Sequence, residues 1–249
     1  MSRPACLDSA TRSLVCFNVN SVKIASNHSW NLTEQDAIDL QVQLSRQVEL
    51  TKLPTEIKRV MGVDVAYSKT SDKTCAGLVT FDVETMETVE STVFMADATF
   101  AYIPGLFSFR EIPAILGAID KITIIPDLIV CDGHGLAHPR GFGLASHLGV
   151  LLDMPTIGCA KTPLLPCDEL SLNERGSTAN ITLGSNVVGK VVRTQDGIKP
   201  VYVSPGNKIT LEESVEWVLK LAPEYRLPES TRRADQLVNK TLKNQFVPE

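Results

Sequence analysis

The sequence predicts an α/β fold in which one mixed β-sheet is flanked by helices. In the first half of the chain, three apolar segments rich in β-branched residues are joined by short polar links, the pattern of an antiparallel meander. In the second half, helical and strand-like segments alternate, as parallel strands require. The 249 residues are 43% hydrophobic and 21% charged, which is typical of a globular protein with one core.

We expect a single domain over residues 30–249. The preceding residues 1–29 are serine-rich, with Asp8 as the one acidic residue, and are expected to form an N-terminal extension outside the fold. No low-complexity linker divides the rest of the chain.

A helix is predicted at the start of this domain, and the meander follows it. Apolar residues recur at spacings of three and four between residues 32 and 53, which predicts an amphipathic helix. Thr33 followed by Asp36 provides a capping signal at its start. The predicted strands of the meander are residues 59–67, 74–81 and 87–95.

The remaining segments predict alternating helices and strands on the same sheet. Thr210 and Glu213 form a capping box at the start of one helix. A three-strand meander followed by alternating helices and strands is the order of a ribonuclease H-like fold. Helices are expected at residues 108–121, 142–152, 210–221 and 228–244, and strands at residues 127–132, 156–161, 187–193 and 200–204.

Charge and cysteine content exclude several classes of protein. The 24 Lys and Arg residues are outnumbered by 29 Asp and Glu residues, for a net charge of -5, so the chain lacks the basic composition of a non-specific nucleic-acid coat. The six cysteines are scattered without CxxC spacing, which favours a reducing cytoplasm. Since no apolar stretch reaches about 18 residues, a membrane span is not expected.

Two aspartates stand where sheets of this kind form ligand sites. Asp64 interrupts a predicted strand, and a carboxylate in a half-buried strand is unfavourable unless a cation compensates it. Asp132 directly follows the apolar residues 128–131, at the carboxyl end of a strand, where open α/β sheets bind ligands. An isolated aspartate at a strand end is usually a turn former. Two on neighbouring strands would offer the hard oxygen ligands that Mg²⁺ selects.

Asp235 and Glu111 supply further carboxylates, each with a structural alternative. On the last predicted helix, Asp235 lies three residues before Val238 on the stripe that faces the core. A solvated helix edge paired with Arg232 fits the same periodicity. Glu111 follows Ser108 at capping-box spacing, in which case its carboxylate would only satisfy the amino terminus of a helix.

Three of the four histidines, His134, His138 and His147, lie within residues 132–147, and this clustering favours a site. A zinc site from His134 and His138 is disfavoured, because they lie among glycines and a proline and no HExxH glutamate accompanies them. His147 fits a packed histidine on the following helix. Lys161 closes the next strand and would place an ammonium at the same sheet edge, unless it is an ordinary exposed strand-end lysine.

Four motifs stand out when they are taken together. They are GVDVAY at residues 62–67, YIPGLFSFRE at residues 102–111, DGHGLAHPR at residues 132–140 and PTIGCAK at residues 155–161. In this order they resemble the endonuclease V family of deoxyinosine-directed repair nucleases. The resemblance extends from about Trp30 to Val238 and includes LPESTRRAD, which ends at Asp235.

The resemblance implies a ribonuclease H-like fold and an enzyme that acts in DNA repair. It implies Mg²⁺-dependent hydrolysis of the second phosphodiester bond 3′ to an inosine, leaving a 5′-phosphate, with Mn²⁺ able to substitute. The implied partner is inosine-containing DNA, or RNA, and a monomer without an obligate protein partner is expected.

The resemblance also implies roles for individual residues. Asp64, Asp132 and Glu111 would hold the metal ion, and Asp235 matches a further active-site position. Metal coordination would offset carboxylate repulsion and lower the pKa of a bound water, so that no nucleophilic side chain is needed. The other two implied catalytic residues are His138, at the scissile phosphate and attacking water, and Lys161, which would stabilise developing charge.

Substrate recognition is implied for the segment around Tyr102. This residue matches the family's wedge, which fills the gap left when the damaged nucleotide leaves the stack; a tyrosine that caps the edge of the core is the alternative. Glycines allow backbone groups to approach the edge of a base, and hypoxanthine presents O6 as acceptor and N1–H as donor. The other residues implied to bind the substrate are Pro104, Gly105, Leu106, Gly135, Leu136 and Arg140.

Two positions depart from the family pattern. Gly141 follows Arg140 where many relatives carry a second arginine, and Asn207 stands where a histidine is common. Both departures bear on affinity for the phosphate backbone. Family members divide between DNA and RNA, and the version of the loop that contains Tyr102 is similar to the bacterial DNA-repair type.

Two other functions remain compatible with the residues. A structure-selective nuclease of the ribonuclease H superfamily, such as a junction resolvase, would use the same acidic site. A binding module that recognises deaminated bases without cleaving them is the third hypothesis, and the net negative charge is unfavourable for it.

Overall fold

A mixed sheet covered by helices forms the protein. The computed structural model describes residues 22–25, 28–53, 56–68 and 71–244. Its strands are β1 (Arg59–Tyr67), β2 (Lys73–Asp82), β3 (Thr88–Asp97), β4 (Leu128–Cys131), β5 (Thr156–Ala160), β6 (Thr178–Leu183), β7 (Asn186–Val192) and β8 (Val201–Asn207). Its helices are α1 (Glu34–Ser45), α2 (Phe107–Ile119), α3 (Leu144–Leu152), α4 (Leu211–Leu221) and α5 (Glu229–Asn244).

The sheet has eight strands in the order β3-β2-β1-β4-β5-β8-β7-β6. The three central strands, β1, β4 and β5, run parallel, and the other neighbours are antiparallel. The predicted meander and the mixed ribonuclease H-like sheet are therefore confirmed. Within the described part of the chain, no helix is long and apolar enough to cross a membrane.

Most predicted elements form, with two informative differences. The capping boxes at Thr33 and Thr210 are present. The first helix ends at Ser45, short of the predicted limit at residue 53, and the chain beyond it contacts the residue after β8, where the N–H of Lys208 donates to the carbonyl of Glu49 at 2.6 Å. Strand β6 was not predicted: it lies at the edge of the sheet, and Ile181 is its one buried residue, so it lacks an apolar alternation.

Strand β8 continues three residues beyond its predicted end at Ser204. It includes Pro205, which interrupts a strand pattern because proline has no N–H to donate. The structure accommodates it at a register shift, where Pro205 lies opposite Ile157 of β5.

Alternation along β1 divides the core into two layers. Met61 and Val63 pack with residues of α2 and α3 on one face of the sheet. Val60 packs with residues of α4 on the opposite face. Helix α5 lies on this second face, against β1 and β2.

Helix α5 approaches β1 so closely that only glycine fits between them. A Cβ atom added to Gly62 would lie 2.0 Å from the carbonyl oxygen of Ser230, and one added to Gly77 would lie 2.5 Å from a methyl group of Val238. Since Asp235 lies between Ser230 and Val238 along α5, these contacts fix its position above the sheet.

Part of the predicted N-terminal extension contacts the domain. Val22 packs with the layer of α2 and α3, and the N–H of Ala25 donates to the carbonyl of Leu151 at 2.7 Å. Nε2 of His28 lies 2.8 Å from Nε2 of His147. Residues 1–21, 26 and 27 lie outside the described residues.

The close approach of α5 is tested by Gly62→Ala. We expect a loss of about 1–3 kcal/mol or more in the free energy of unfolding, measured by chemical denaturation, because the added methyl group meets backbone atoms that cannot move independently. Gly133→Ala is the matched control, since its Cβ would meet side-chain atoms of Leu144 at 3.3 Å and beyond. Equal losses in the two variants would contradict this account.

Candidate active site

Strands β1 and β4 bring two aspartates side by side. The strands are parallel, with Val63 opposite Cys131, and the next residues are Asp64 and Asp132. The N–H of Asp132 donates to the carbonyl of Val63 at 2.9 Å. This backbone pairing holds the two carboxylates at neighbouring positions of the sheet, with Asp64 inside its strand and Asp132 directly after the end of its own, as each was predicted from the sequence.

A third aspartate reaches the pair from α5. Asp64 lies two residues after Gly62 on β1, so its side chain points to the same face of the sheet, towards α5. Helix α5 carries Asp235. One carboxylate oxygen of each of Asp64, Asp132 and Asp235 lies within 4.8 Å of the others, and we call these residues the aspartate cluster. Asp64 is nearly buried, at 9% exposure, whereas the side chain of Asp235 is 40% exposed.

The ammonium group of Lys161 lies against the aspartate cluster. Its Nζ is 2.5 Å from Oδ2 of Asp132 and 3.6 Å from Oδ1 of Asp235. Lys161 is exposed, as the structural alternative expected, but it is not an ordinary strand-end lysine, because its ammonium is paired with two carboxylates. Pairing of Asp235 with Arg232 is wrong, because the Nε of Arg232 lies 2.7 Å from Glu229 instead.

Burial and like charges favour protonation of Asp64. Burial, together with the neighbouring carboxylate of Asp132, raises the pKa of Asp64 to about 8, although Lys161 acts in the opposite direction. The pKa of Lys161 is raised, because its contacts with Asp132 outweigh the effect of burial. The cluster therefore holds excess negative charge that one ammonium only partly compensates, which is the electrostatic condition that favours a cation.

Glu111 lies on α2, which packs on the face of the sheet opposite α5. It lies in the first turns of α2, and the hydroxyl of Tyr67 donates to its Oε1 at 2.5 Å. Burial raises the pKa of Glu111 to about 7. Glu111 is not one of the three residues whose carboxylate oxygens lie within 4.8 Å of one another. The structure thus brings Asp64 and Asp132 together with Asp235 and leaves Glu111 beside them.

The capping-box alternative for Glu111 is wrong. Helix α2 begins at Phe107 and its N-cap, Leu106, makes no side-chain cap. Ser108 lies inside the helix, and its hydroxyl oxygen is 3.0 Å from Nδ1 of His147. His147 is fully buried, as predicted for a packed histidine.

His134 and His138 both bind backbone carbonyls. Nε2 of His134 donates to the carbonyl of Thr162 and Nε2 of His138 to that of Gly105, each at 3.0 Å. Burial, with help from Arg140, lowers the pKa of His138 to about 4. Neither histidine belongs to the cluster with metal-ligand spacing found among the described residues.

A cavity opens beside Glu111 and Asp132. One residue of the lining, Gly105, belongs to the loop that joins β3 to α2, residues 98–106, which we call the recognition loop. Of the residues that the resemblance implies for the base pocket, Gly105 lines this cavity, whereas Leu106, Gly135 and Leu136 do not. The full lining is Gln41, Gly105, Phe107, Ser108, Glu111, Asp132, Gly133, His134, His138, Gly143, Leu144 and Leu164.

The tip of the recognition loop is exposed. Tyr102 is 63% exposed, and its ring lies 4.8 Å from that of Phe107 and 6.3 Å from that of Tyr67. Pro104 is exposed as well. This exposure contradicts the alternative of a tyrosine that caps the core.

Gly135 and Asn207 are both packed or hydrogen-bonded within the protein. A Cβ at Gly135 would lie 2.1 Å from the carbonyl oxygen of Pro205, so this glycine allows close packing against β8. Asn207 is 2% exposed, and its amide bonds the backbone of Glu49, Gly149 and Met154. Asn207 therefore does not present its amide to a phosphate backbone.

Sequence reasoning missed two side chains at the site, Gln41 and Tyr67. Gln41 is 1% exposed on the buried face of α1, and a glutamine that interrupts an apolar stripe was the signal that could have revealed it. Tyr67 carried no comparable signal, because an aromatic residue at the end of a strand is ordinary.

Acidic nucleases with a ribonuclease H-like fold place carboxylates at the ends of central strands, beneath a helix that adds another. The mixed sheet and the aspartate cluster assign the chain to that class.

Comparison with known proteins identifies the family within the class. A sequence model of the endonuclease V family matches residues 42–236. Endonuclease V of Gloeobacter violaceus is 47% identical over 215 residues, which cover 85% of this chain and 87% of that protein. The crystal structure of endonuclease V from Streptomyces avermitilis has a TM-score of 0.83 and 43% identity, and the match covers 91% of this chain and 100% of that one. This chain belongs to the endonuclease V family.

A more distant relative has been crystallised with a nucleic acid. The structure of Ciona intestinalis endonuclease V in complex with a 24mer DNA containing an inosine followed by a ribo-adenosine has a TM-score of 0.76 and 26% identity. The match covers 86% of this chain and 100% of that one.

The raised pKa of Asp64 predicts a pH-dependent effect of Asp64→Asn in the presence of a chelator. Because the folded-state pKa of about 8 exceeds the unfolded value near 3.9, the folded state binds the extra proton between these values and loses stability as pH rises through them. The neutral variant avoids this loss. Its Tm should exceed that of the wild type by an amount that grows from pH 5 to pH 8 and reaches several degrees.

Asp168→Asn, which neutralises an exposed aspartate outside the cluster, controls for the change in net charge. A difference in Tm between Asp64→Asn and the wild type that stays constant with pH would contradict the raised pKa.

Proposed function

We propose that this chain is a metal-dependent endonuclease that recognises inosine in nucleic acid and hydrolyses the second phosphodiester bond 3′ to it, as a DNA-repair enzyme. The observation that carries the proposal is the aspartate cluster beside a cavity in an endonuclease V fold. The inosine-containing DNA bound by the Ciona relative supports the choice of substrate. An inosine-specific endoribonuclease is the alternative within the family.

The proposed ion is Mg²⁺, with Mn²⁺ able to replace it. The aspartate cluster offers three hard oxygen donors within 4.8 Å of one another, the type of donor that these cations prefer. Asp64 and Asp132 would be the principal ligands, because pairing between β1 and β4 holds their backbones together. Asp235 is the third ligand that the distances favour, and Glu111 would support the site from beside Asp132.

A bound divalent cation supplies charge neutralisation at the scissile phosphate and a more acidic water. Lys161, which lies 2.5 Å from Asp132, would stabilise negative charge that develops on the phosphate oxygens. Water is the proposed nucleophile. The protein side chains would therefore act by holding the carboxylates, the lysine and the substrate in the correct relative positions. The contacts of His138 with Gly105 favour a role for this histidine in the wall of the cavity.

The cavity lined by Gly105 and His138 is the proposed binding site of the extruded base. It opens beside Asp132, so a base held there would lie next to the metal-binding carboxylates. The exposed ring of Tyr102 at the tip of the recognition loop would fill the vacated position in the stack. Extrusion costs a few kcal/mol, and less at a mispaired base.

We further propose that residues 30–249 act as a single catalytic domain in a cytoplasmic monomer. Cys75, Cys131 and Cys159 are buried free thiols, as expected in a reducing compartment. Gly141 stands where many relatives carry an arginine. Its φ of 63° lies in the left-handed region that favours glycine, so the backbone conformation accounts for this departure, which is compatible with the proposed function.

The substrate preference and the metal dependence of cleavage are tested in one experiment with matched oligonucleotides. We would offer inosine-containing single-stranded DNA, duplex DNA and single-stranded RNA, with adenine-containing controls, in Mg²⁺ or in a chelator. We expect nicking of inosine-containing strands in Mg²⁺ alone. Asp64→Ala and Asp132→Ala should each lower the rate by roughly a thousandfold or more, since metal stabilisation contributes several kcal/mol.

Asp168→Ala removes an exposed carboxylate and should retain activity. Full activity in both cluster variants, or equal cutting of the adenine-containing strands, would refute the proposed function. Cleavage of RNA without cleavage of DNA would identify the endoribonuclease.

The metal ligands are distinguished by calorimetric titration with Mg²⁺. We expect Asp235→Asn to weaken binding more than Glu111→Gln, by roughly tenfold or more, because only Asp235 contributes an oxygen to the aspartate cluster. A larger loss in Glu111→Gln would instead assign Glu111 to the metal.

A further inference from the structure

A buried glutamine on α1 joins three segments that are distant in sequence. Gln41 is 1% exposed. Its Nε2 donates to the carbonyls of Phe142 and Gly105, at 2.7 Å and 3.2 Å, and its Oε1 accepts a hydrogen bond from Nε of Arg140. Both ends of the amide are therefore satisfied, which is required of a buried polar side chain.

Three side chains donate to one backbone carbonyl, that of Gly105. The donors are Nη2 of Arg140 at 2.7 Å, Nε2 of His138 at 3.0 Å and Nε2 of Gln41 at 3.2 Å. We call these three side chains the Gly105 clamp. Because a carbonyl oxygen has two lone pairs, three donors occupy its accepting capacity.

Arg140 connects the members of the Gly105 clamp to one another. Its guanidinium donates to Gln41 as well as to Gly105, and its backbone N–H donates to Nδ1 of His138 at 3.2 Å. Nδ1 of His138 is thereby an acceptor, so Nε2 carries the proton that is donated to Gly105. The resemblance implied that Arg140 contacts substrate; in the structure, Nε and Nη2 of its guanidinium donate to Gln41 and Gly105.

The clamped carbonyl lies at the turn that ends the recognition loop. Gly105 has a φ of 80°, and the next residue closes the turn with a hydrogen bond from the N–H of Leu106 to the carbonyl of Ile103 at 3.0 Å. Gly105, Gln41 and His138 all line the cavity. The Gly105 clamp therefore fixes part of the wall of the cavity, which Glu111 and Asp132 also line.

We propose that Gln41 is a positioning residue for base recognition, which acts through the Gly105 clamp to hold the recognition loop and so sets the preference for inosine over adenine. The inference rests on the proposed function of the cavity as the base site. Its physical basis is preorganisation: a loop that is already fixed loses little entropy when a base enters. Gln41 itself need not touch the base.

The saturated carbonyl has a consequence for how the base is read. Since the Gly105 clamp occupies the carbonyl of Gly105, this oxygen does not accept the N1–H of hypoxanthine. Discrimination then depends on the shape of the cavity and on other polar groups that line it. A cavity wall that shifts when Gln41 is removed should therefore admit adenine more readily.

The test compares two glutamines on the same helix. Gln41→Met keeps the length of the side chain but removes its donor and acceptor, and Gln43→Met is the control, because Gln43 is exposed. The measurements are KM and kcat in Mg²⁺ for matched inosine- and adenine-containing strands, binding of the same strands in a chelator, Mg²⁺ affinity and Tm.

We expect Gln41→Met to raise KM for the inosine-containing strand by roughly tenfold or more, the effect of leaving buried polar groups without partners. The inosine preference in chelator should fall by a similar factor. The change in kcat should stay within about threefold, because the aspartate cluster is untouched. Mg²⁺ affinity should be unchanged, and Gln43→Met should resemble the wild type throughout.

Unchanged KM and unchanged inosine preference in Gln41→Met would overturn the inference. A fall in kcat alone, equal for both strands, would also overturn it, because that result indicates a general structural role. A wild type without inosine preference rejects the proposed function and the inference together. A wild-type preference that Gln41→Met retains rejects the inference alone.

A second pair of variants covers the case in which Gln41→Met does not fold. Gln41→Glu keeps an acceptor for Arg140 but cannot donate to Gly105. Arg140→Lys removes the guanidinium, which donates at once to Gln41 and to Gly105. Each should lower the inosine preference. Their combination should lower it by less than the product of the two factors, since both act on one carbonyl. Full independence of the two effects would contradict the Gly105 clamp.

Discussion

Mutual repulsion within the aspartate cluster is the constraint on which the site depends. Asp64 and Asp132 are forced together by the pairing of two parallel strands, and α5 adds Asp235 from above. Burial strengthens the repulsion because water no longer screens it. Lys161 offsets part of this charge. Backbone pairing between β1 and β4 and the tight packing of α5 on β1 oppose the remaining repulsion.

The packing that opposes this repulsion comes from glycine as much as from apolar side chains. Gly62 precedes Asp64 by two residues on the same face of β1 and lets the backbone of α5 touch the strand. The distance between Asp64 and Asp235 is thus set by a backbone contact, which is stiffer than contacts between flexible side chains. A preorganised ligand set of this kind needs little rearrangement to hold a cation.

The opposite face of the sheet carries α2, which begins where the recognition loop ends. Tyr67, on β1, bonds Glu111 and contacts the ring of Tyr102, so one strand serves both the aspartate cluster and the recognition loop. The Gly105 clamp fixes the other end of that loop. The aspartate cluster and the recognition loop are therefore held by separate contacts, and the cavity opens beside Asp132 and Glu111.

The sequence by itself determined the order of strands and helices, apart from the polar edge strand β6, and it determined that Asp64 lies within one strand and Asp132 at the end of another. Both follow from local patterns, because alternation fixes the face of a residue and a strand end fixes its edge. Only the tertiary structure decided that Asp235, and not Glu111, completes the aspartate cluster. It also decided that Gln41 meets Gly105 across 64 residues of chain. Such contacts depend on how helices cross the sheet, and local periodicity carries no information about that crossing.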